Sequence, residues 1–408
     1  MKIAFLTREY PPDTLWGGPA IVYHELARAL VKRGHEVHVI CQAIDKPRDY
    51  VDRGVWIHRV GTNPKRYSPI ARINYSFYAW QKLKEVIRKY GVEIVEAVYW
   101  SAEGFLYSLG KQTPLVLGAQ SSAHDVIKAK TYWGVRGLLS LKTVSFLADL
   151  TARRADKIIA NSKLMYDELV NRVHLCPEKL EVVYHAINVD RFRFVESDIR
   201  KRLKVPQNAP LVLSVGRLEP KKGTDILCQA IPQVLSEKSE VRFIFIGKDT
   251  NSSPKGGSMR QYVINEAETH HFLDRVKFID FLSEDELIQL YSACDLFVFP
   301  SRHESFGLPV MEAMACGKPV VAAATGIVLE LQSHGLKGLK VVPPNDAGEL
   351  SRGIIEMLQL IEKDGKRQIA EENRKLIETR FSLAVQADRV IEVYNQLLKK
   401  RKRKKDER

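Results

Sequence analysis

Two glutamates, Glu304 and Glu312, lie eight residues apart in residues 295–317. This stretch begins with the apolar run 296–299, which is typical of a buried strand, and continues through a short polar loop into a helix. Ionised carboxylates accept hydrogen bonds, so both side chains could hold the hydroxyl groups of a ligand.

The helix in this stretch is predicted to begin at Leu308 and Pro309, directly after Gly307. Proline fits the first turn because its missing N–H would be unpaired there anyway. The free N–H groups and the positive end of the helix dipole favour an anion such as phosphate. An anion beside the helix start and hydroxyl groups beside the carboxylates would together suit a nucleotide sugar.

The residues PSRHESFGLPVMEAMACGKPV closely resemble the signature of the retaining glycosyltransferases of family 4, with its paired glutamates. The matching positions are Pro300, Ser301, Glu304, Phe306, Gly307 and Glu312. The alternative is a strand–loop–helix unit of any α/β protein with two solvated glutamates. The resemblance implies that Glu304 contacts the transferred sugar and that Glu312 holds the donor ribose. It also implies donor contacts for Phe306, Gly307 and Leu308.

A basic loop, residues 216–223, follows the apolar run 211–215. An arginine can bind phosphate through two parallel hydrogen bonds, whereas a lysine acts as a point charge. Two such cations, held in a cleft, would stabilise a departing diphosphate. A solvated surface loop is the alternative. The loop is similar to the family's Gly-Arg…Lys-Gly motif, which implies phosphate contacts for Arg217 and Lys222, with Gly216 beside the donor.

Gly17 and Gly18 precede Pro19 and open a helix predicted over residues 20–33. Glycines let the backbone approach a ligand closely, although such turns also occur without any ligand. In the family that the chain resembles, the glycine-rich loop after the first strand lies by the donor diphosphate and the acceptor. The resemblance therefore assigns Gly17 and Gly18 to donor binding.

His124 follows the predicted strand 114–119, and Gly247 ends the predicted strand 242–246. A structural histidine and a plain turn glycine are the alternatives. The position of His124 is similar to that of the family histidine that touches the transferred sugar beside the reacting carbon, which implies a catalytic role. Gly247 is expected to border the base pocket.

The chain departs from the family pattern near Glu330, where Ile327 and Leu329 replace a glycine and a proline. Asp280 and Ala186 also stand where glycine is usual. These positions could reshape the base pocket or the hinge. The base and the sugar of the donor therefore stay open.

Short β-branched runs alternate with helical patterns in both halves of the chain, which predicts parallel sheets covered by helices on both faces. The predicted strands are 2–7, 36–41, 55–60, 93–99, 114–119, 157–161, 181–184, 211–215, 242–246, 276–279, 296–299, 319–322 and 339–342. The resemblance implies two Rossmann-like, doubly wound domains facing a cleft, the architecture called GT-B. We expect an acceptor-binding domain (1–195), a nucleotide-sugar-binding domain (196–382), a helix crossing back to the first domain (383–398) and a basic tail (399–408).

The composition is that of a soluble protein, with 408 residues, a net charge of +14 and no 18-residue apolar run. Five scattered cysteines without metal spacing indicate a reduced, cytoplasmic compartment. No nucleic-acid module is visible. Seven consecutive basic residues, 399–405, could bind an anionic membrane surface, with a solvated tail as the alternative. Aromatic, basic segments at 64–90 and 127–146 could do the same or could fill the core; we favour the core.

We therefore expect a retaining glycosyltransferase that moves a sugar from a nucleotide-sugar donor to a glycan or lipid-linked acceptor in glycolipid, cell-surface glycan or polysaccharide synthesis. No Asp-x-Asp motif follows a strand, so we expect no metal and no cofactor, with Arg217 and Lys222 neutralising the diphosphate. One alternative is a soluble synthase of glycogen or a disaccharide. Others are an epimerase or phosphorylase of similar architecture, whose signatures we do not find, and a noncatalytic basic protein that binds sugar nucleotides.

Overall fold

A computed structural model of the protein describes residues 1–14, 18–62, 69–128 and 134–406. The chain divides into two compact units: unit 1 contains Met1–Ala186 and Leu383–Arg408, and unit 2 contains Ile187–Ser382. The domain boundary expected after residue 195 therefore lies nearer residue 186. The reason is that the guanidinium of Arg374 donates to the carbonyls of Val189 and Phe192, at 2.8 and 2.6 Å, which fixes this segment to unit 2.

The strands of unit 1 are β1 (Lys2–Leu6), β2 (Glu36–Ala43), β3 (Arg48–Asp52), β4 (Val55–Thr62), β5 (Ile94–Val98), β6 (Leu115–Ala119), β7 (Lys157–Ala160) and β8 (Leu180–Val182). Within the described ranges they form one sheet of order β3-β4-β2-β1-β5-β6-β7-β8, in which β3 alone runs antiparallel to its neighbour. Strand β3 is not among the strands predicted from the sequence. Its residues RDYVD lack an apolar run, and only pairing with β4 at the sheet edge makes them a strand.

The helices of unit 1 are α1 (Gly18–Lys32), α2 (Pro69–Tyr90), α3 (Phe105–Ser108), α4 (Ala123–Lys128), α5 (Gly134–Arg154), α6 (Lys163–Val173) and, after unit 2, α15 (Leu383–Asp406). They cover both faces of the sheet because successive strand residues point to opposite sides. Ile3 and Phe5 of β1 pack in one apolar cluster with residues of α1 and α15. Ala4 and Leu6 pack in another with residues of α2.

The final helix belongs to unit 1 and is longer than the expected 383–398. It runs to Asp406, so most of the predicted basic tail is helical. Lysine and arginine are good helix formers, and the Arg401 guanidinium donates to the carbonyl of Gln112. Nearer its start, the Tyr394 hydroxyl donates to the buried carboxylate of Glu96. These contacts fix α15 to the core of unit 1.

The strands of unit 2 are β9 (Leu211–Val215), β10 (Arg242–Ile246), β11 (Val276–Ile279), β12 (Leu296–Phe299), β13 (Val320–Ala323) and β14 (Leu339–Val342). Its helices are α7 (Ile199–Arg202), α8 (Thr224–Glu237), α9 (Met259–Thr269), α10 (Glu284–Ala293), α11 (Leu308–Ala315), α12 (Val328–Gln332), α13 (Ala347–Asp364) and α14 (Lys366–Arg380). The described strands form a fully parallel sheet of order β11-β10-β9-β12-β13-β14. This is the Rossmann order, with the direction of strand addition reversing between β9 and β12.

The doubly wound parallel-sheet prediction is therefore confirmed for both units, and every predicted strand is present within two residues of its expected ends. Open α/β sheets bind ligands outside the carboxyl ends of their strands, where the strand order reverses. The basic loop after β9 and the glutamate loop after β12 leave the unit 2 sheet at that point. Among the described helices, none is long and apolar enough to cross a bilayer.

Candidate active site

The loops after β9 and β12 lie in direct contact at the carboxyl edge of the unit 2 sheet. A Cβ atom at Gly223 would lie 2.0 Å from the carbonyl oxygen of Pro300, and the positive φ of +69° at Gly223 also favours glycine. The backbone N–H of Arg302 donates to the carbonyl of Lys221 at 2.9 Å. Each loop therefore fixes the position of the other.

The side chain of Arg302 strengthens this contact. Its guanidinium donates two hydrogen bonds to the Asp225 carboxylate, at 2.6 and 2.7 Å, and also bonds to the carbonyl of Pro220 and to Asn345. Only 6% of the Asp225 side chain is exposed. Neither Arg302 nor Asp225 was predicted from the sequence to have a role. A charged residue two positions before Glu304 was the available signal, but nothing in the sequence named its partner.

The joined loops bring together two of the predicted catalytic residues, Lys222 and Glu304. The ammonium of Lys222 forms an ion pair with the Glu304 carboxylate, and the hydroxyl of Ser301 donates to the same oxygen at 3.2 Å. The exposed fractions of the Lys222 and Glu304 side chains are 24% and 12%, so a ligand can reach both. The pair holds the ammonium in place before any ligand binds.

Arg217 lies beside this pair. A small cavity is lined by Gly216, Arg217 and Lys222 from one loop and by Ser301 from the other. The Arg217 guanidinium is 2.9 Å from the Glu219 carboxylate, but 62% of the side chain is exposed. The cavity therefore has two cationic side chains on its wall, which suits an anionic ligand.

Gly247, which directly follows β10, packs against the loop after β9. A Cβ atom at Gly247 would lie 2.0 Å from the carbonyl oxygen of Gly216, and φ is +143°. Its N–H donates to the carbonyl of Ile279 at 2.9 Å. The structure thus gives Gly247 a packing role, and its contact with a base stays a prediction.

Helix α11 begins as the sequence predicts. Gly307 precedes it with a φ of +113°, and Leu308 and Pro309 form its first turn. The side chain of Phe306 is buried, and its carbonyl accepts a hydrogen bond from the N–H of Ile327 at 2.7 Å. Ile327, which stands where the family has glycine, is itself fully buried. The isoleucine that replaces the family's glycine is therefore accommodated in the core of unit 2.

Glu312 lies on α11, where its carboxylate accepts a hydrogen bond of 2.8 Å from the hydroxyl of Tyr291 on α10. Burial raises the pKa of Glu312 to about 7, although the bond from Tyr291 opposes this. Near neutral pH, a ligand that donates hydrogen bonds to this carboxyl group would favour its ionised form. Sequence reasoning missed Tyr291, since no pattern links a residue of α10 to one of α11.

The remaining predicted residues belong to unit 1. Gly18 is the exposed first residue of α1, and His124 is the half-buried second residue of α4, which follows β6. Gly17 lies outside the described residues. The roles assigned to Gly18 and His124 stay predictions.

Within residues 1–14, 18–62, 69–128 and 134–406, no group of three or more His, Cys, Asp or Glu residues could hold a metal ion. The charged residues that approach one another at the described site are instead two cation–carboxylate pairs, Arg217 with Glu219 and Lys222 with Glu304.

Two family models match the chain and together cover most of it. The model described as Glycosyltransferase Family 4 matches residues 16–191, and the model described as Glycosyl transferases group 1 matches residues 195–376. The second match includes both loops of the candidate active site.

Curated relatives carry the same description. An uncharacterised glycosyltransferase of Methanocaldococcus jannaschii is 29% identical over 358 residues, which is 85% of this chain and 86% of that protein. A D-inositol 3-phosphate glycosyltransferase of Thermobispora bispora is 27% identical over 400 residues, 94% of this chain and 91% of that protein.

Solved structures share the fold. Sucrose-phosphate synthase from Thermosynechococcus elongatus has a TM-score of 0.76 at 23% identity and covers 97% of this chain and 98% of its own. Anabaena HepE in complex with UDP-glucose has a TM-score of 0.72 at 24% identity and covers 97% and 100%. With both halves matched by glycosyltransferase models and both parallel sheets found in such structures, the chain belongs to the glycosyltransferases of the GT-B fold.

Proposed function

We propose that this glycosyltransferase moves a sugar from a nucleotide-sugar donor to an acceptor hydroxyl, with retention of configuration and without a metal ion. The main support for this proposal is the cavity at the carboxyl edge of the unit 2 sheet, where Arg217 lies beside the Lys222–Glu304 pair. HepE of Anabaena was solved with UDP and with UDP-glucose, which supports a donor of this class.

The two cations would stabilise the departing nucleoside diphosphate. As the bond from the anomeric carbon to the phosphate oxygen breaks, negative charge grows on the diphosphate, and preorganised cations lower the free energy of that state. Arg217 has the planar donors for two phosphate oxygens, and Lys222 supplies a compact charge. This is the function that a metal ion performs in other transferases.

The acceptor hydroxyl would attack the anomeric carbon on the face that the diphosphate leaves. A new bond forms from the acceptor oxygen to the anomeric carbon, and the hydroxyl proton passes to the leaving phosphate oxygen. No protein base is then required. When the diphosphate draws Lys222 towards itself, Glu304 becomes available to accept hydrogen bonds from the sugar hydroxyls.

We further propose that the enzyme works on the cytoplasmic face of a membrane, in the synthesis of a glycolipid, cell-surface glycan or polysaccharide. The prediction that the aromatic segments fill the core holds for Tyr75, which is buried, but not for Phe77 and Tyr78 of α2, which are about half exposed. Phe146 of α5 is 63% exposed. Exposed aromatics together with a basic helix end favour binding at an anionic interface.

The donor can be identified by measuring thermal unfolding with UDP-, GDP- and ADP-sugars. A donor at 100 times its dissociation constant raises the free energy of unfolding by about 2.7 kcal/mol. With that donor, NMR of the product anomer tests retention, and turnover in excess chelator tests metal independence. An inverted product, or activity that chelator removes and Mg²⁺ restores, would contradict the corresponding part of the proposal.

Replacement of the phosphate-binding cations should reduce turnover without unfolding the protein. We expect Arg217→Ala and Lys222→Ala each to lower kcat by at least about 100-fold, the typical effect of removing one preorganised charge stabiliser. Lys221→Ala is the matched control, because it removes a neighbouring charge outside the cavity lining. Near-normal kcat in either cavity variant, at an unchanged unfolding temperature, would show that the cations are not the phosphate clamp.

Donor binding should depend on pH through Glu312. Its pKa of about 7 is raised by burial, whereas hydroxyl groups that donate to it favour the ionised form, so affinity should rise with pH. We expect roughly tenfold tighter donor binding at pH 8 than at pH 6 by titration calorimetry.

Two variants test whether Glu312 causes this dependence. Glu312→Gln should abolish it and weaken binding at pH 8 by about 1.5–3 kcal/mol, the range for a hydrogen bond to a charged group. Tyr291→Phe should shift the midpoint of the pH dependence to higher pH, because the Tyr291 hydroxyl lowers the Glu312 pKa. A Glu312→Gln variant with the same affinity and pH dependence as the original enzyme contradicts the assignment.

Arg302 should act as a positioning residue for Lys222 and Glu304. We expect Arg302→Ala to reduce kcat by at least about tenfold, since displacement of a positioned group by 1 Å can cost about 100-fold. Arg302→Lys should recover only part of the loss, because one ammonium cannot replace the fork that binds Asp225. Lys238→Ala, which breaks the ion pair with Glu362 at the other end of α8, is the control. Equal kinetics in the Arg302 and Lys238 variants would rule out a positioning role.

Membrane association should depend on the basic end of α15. Each Lys or Arg contributes roughly 1 kcal/mol near an anionic leaflet, less at high salt. We expect the intact protein to co-sediment with anionic but not neutral vesicles, and deletion of residues 399–408 to abolish this. If the intact protein stays in the supernatant at low salt, it is not a peripheral membrane enzyme.

A further inference from the structure

A second cavity, of about 550 Å³, lies at the opposite edge of the unit 1 sheet from His124. Pro114, Asp156 and Lys179 line it immediately before β6, β7 and β8 begin, and Leu397 and Lys400 line it from the last turns of α15. Its volume falls in the range of roughly 300–1,000 Å³ that is usual for ligand pockets. The proposed sugar transfer makes no use of it.

The lining is strongly basic. Its charged side chains are Lys111, Arg154, Lys179, Lys400 and Arg401 against Asp156 and Glu178. The five cations come from four separate parts of the chain, so the cavity is more than one basic helix face. An excess of positive charge in a concave site favours an anionic ligand.

Backbone carbonyls position Lys179 and Arg401 without neutralising their charges, whereas Lys111 also pairs with a carboxylate. The ammonium of Lys179 donates to the carbonyl of Arg153 at 2.9 Å, and the guanidinium of Arg401 donates to the carbonyl of Gln112. The ammonium of Lys111 donates to the carbonyl of Arg154 at 2.6 Å and also pairs with Asp156 at 2.7 Å. A ligand would thus meet cations that are already positioned.

Arg154 and Lys400 are exposed, and neither forms an ion pair with a carboxylate among the described residues. Arginine offers paired donors that match phosphate oxygens, and lysine adds a point charge. Lys400 interacts electrostatically with Glu178, but the side chains of Arg154 and Lys400 are both accessible to a ligand that enters the cavity.

We infer that this cavity binds a ligand carrying two or more phosphate groups, separately from the donor. The volume exceeds what one phosphate fills, and an excess of three positive charges, from five cations and two carboxylates, favours a multiply charged partner. The ligand would join the end of α15 to the amino edge of β6–β8. Binding therefore raises the stability of unit 1, which can be measured without any assay of sugar transfer.

The inference is tested by titration calorimetry with inorganic tripolyphosphate. The protein carries Arg217→Ala and Lys222→Ala throughout, so that the donor cavity does not bind the probe. In this background we expect saturable one-to-one binding and a rise in unfolding temperature. Adding Arg154→Ala and Lys400→Ala should weaken binding by roughly tenfold or more, because each removes a charge-assisted hydrogen bond.

The matched control is Lys402→Ala with Arg403→Ala, which removes two charges from the same helix but none from the cavity lining. We expect it to change the affinity by less than about twofold, since neither side chain lines the cavity to donate a hydrogen bond to the ligand and salt weakens the attraction of exposed charges. Equal weakening in the two double variants would show diffuse attraction to a basic surface and would overturn the inference. Absence of saturable binding in the background protein would overturn it as well.

The same variants distinguish a soluble ligand from a lipid headgroup. Vesicles of cardiolipin, which carries two phosphates in one headgroup, are compared with phosphatidylglycerol vesicles of equal charge density. Preference for cardiolipin that is lost in the Arg154/Lys400 variant, but kept in the Lys402/Arg403 variant, identifies a lipid headgroup. Tripolyphosphate binding without that preference identifies a soluble phosphorylated ligand. Either result supports the site.

Discussion

The close approach of two loops at the carboxyl edge of the unit 2 sheet determines the rest of the candidate site. Gly223 lies so near the carbonyl of Pro300 that any side chain would separate the loops. The bidentate bond between Arg302 and Asp225 holds them in this contact. Because β9 and β12 are neighbours in the sheet, their loops leave it side by side, and Lys222 therefore meets a carboxylate that lies far from it in the sequence.

The charges at this site balance one another before a ligand arrives. Partial burial costs less free energy for a cation and a carboxylate that face each other than for either charge alone. The Lys222–Glu304 pair satisfies this condition, whereas burial raises the pKa of Glu312 despite the hydrogen bond from Tyr291. In the proposed reaction, a diphosphate and a sugar would replace the partner of each group. The same residues would then stabilise the free protein and prepare it to bind.

The fold and much of the site could be predicted from the sequence because their signals are local. Apolar runs marked the strands, and Gly307 with Pro309 marked the start of α11. The contacts of Arg302 and Tyr291 could not be predicted in this way, since each joins elements that come together only in the folded sheet. The edge strand β3 was missed for the same reason, because its pairing rather than its composition makes it a strand.

The amino-acid sequence by itself determined two parallel-sheet units and placed Arg217, Lys222, Glu304 and Glu312 in the loops and helix that follow strands. These features depend on hydrogen bonding, apolar periodicity and backbone preferences within a few residues. Tertiary structure decided which charges meet, as in the ion pair of Lys222, and it made a helix of the basic end, which forms one wall of a basic cavity. Strand order brings residues that are distant in the chain into contact. Because the stabilisation from such contacts depends on the folded sheet, no local sequence pattern predicts it.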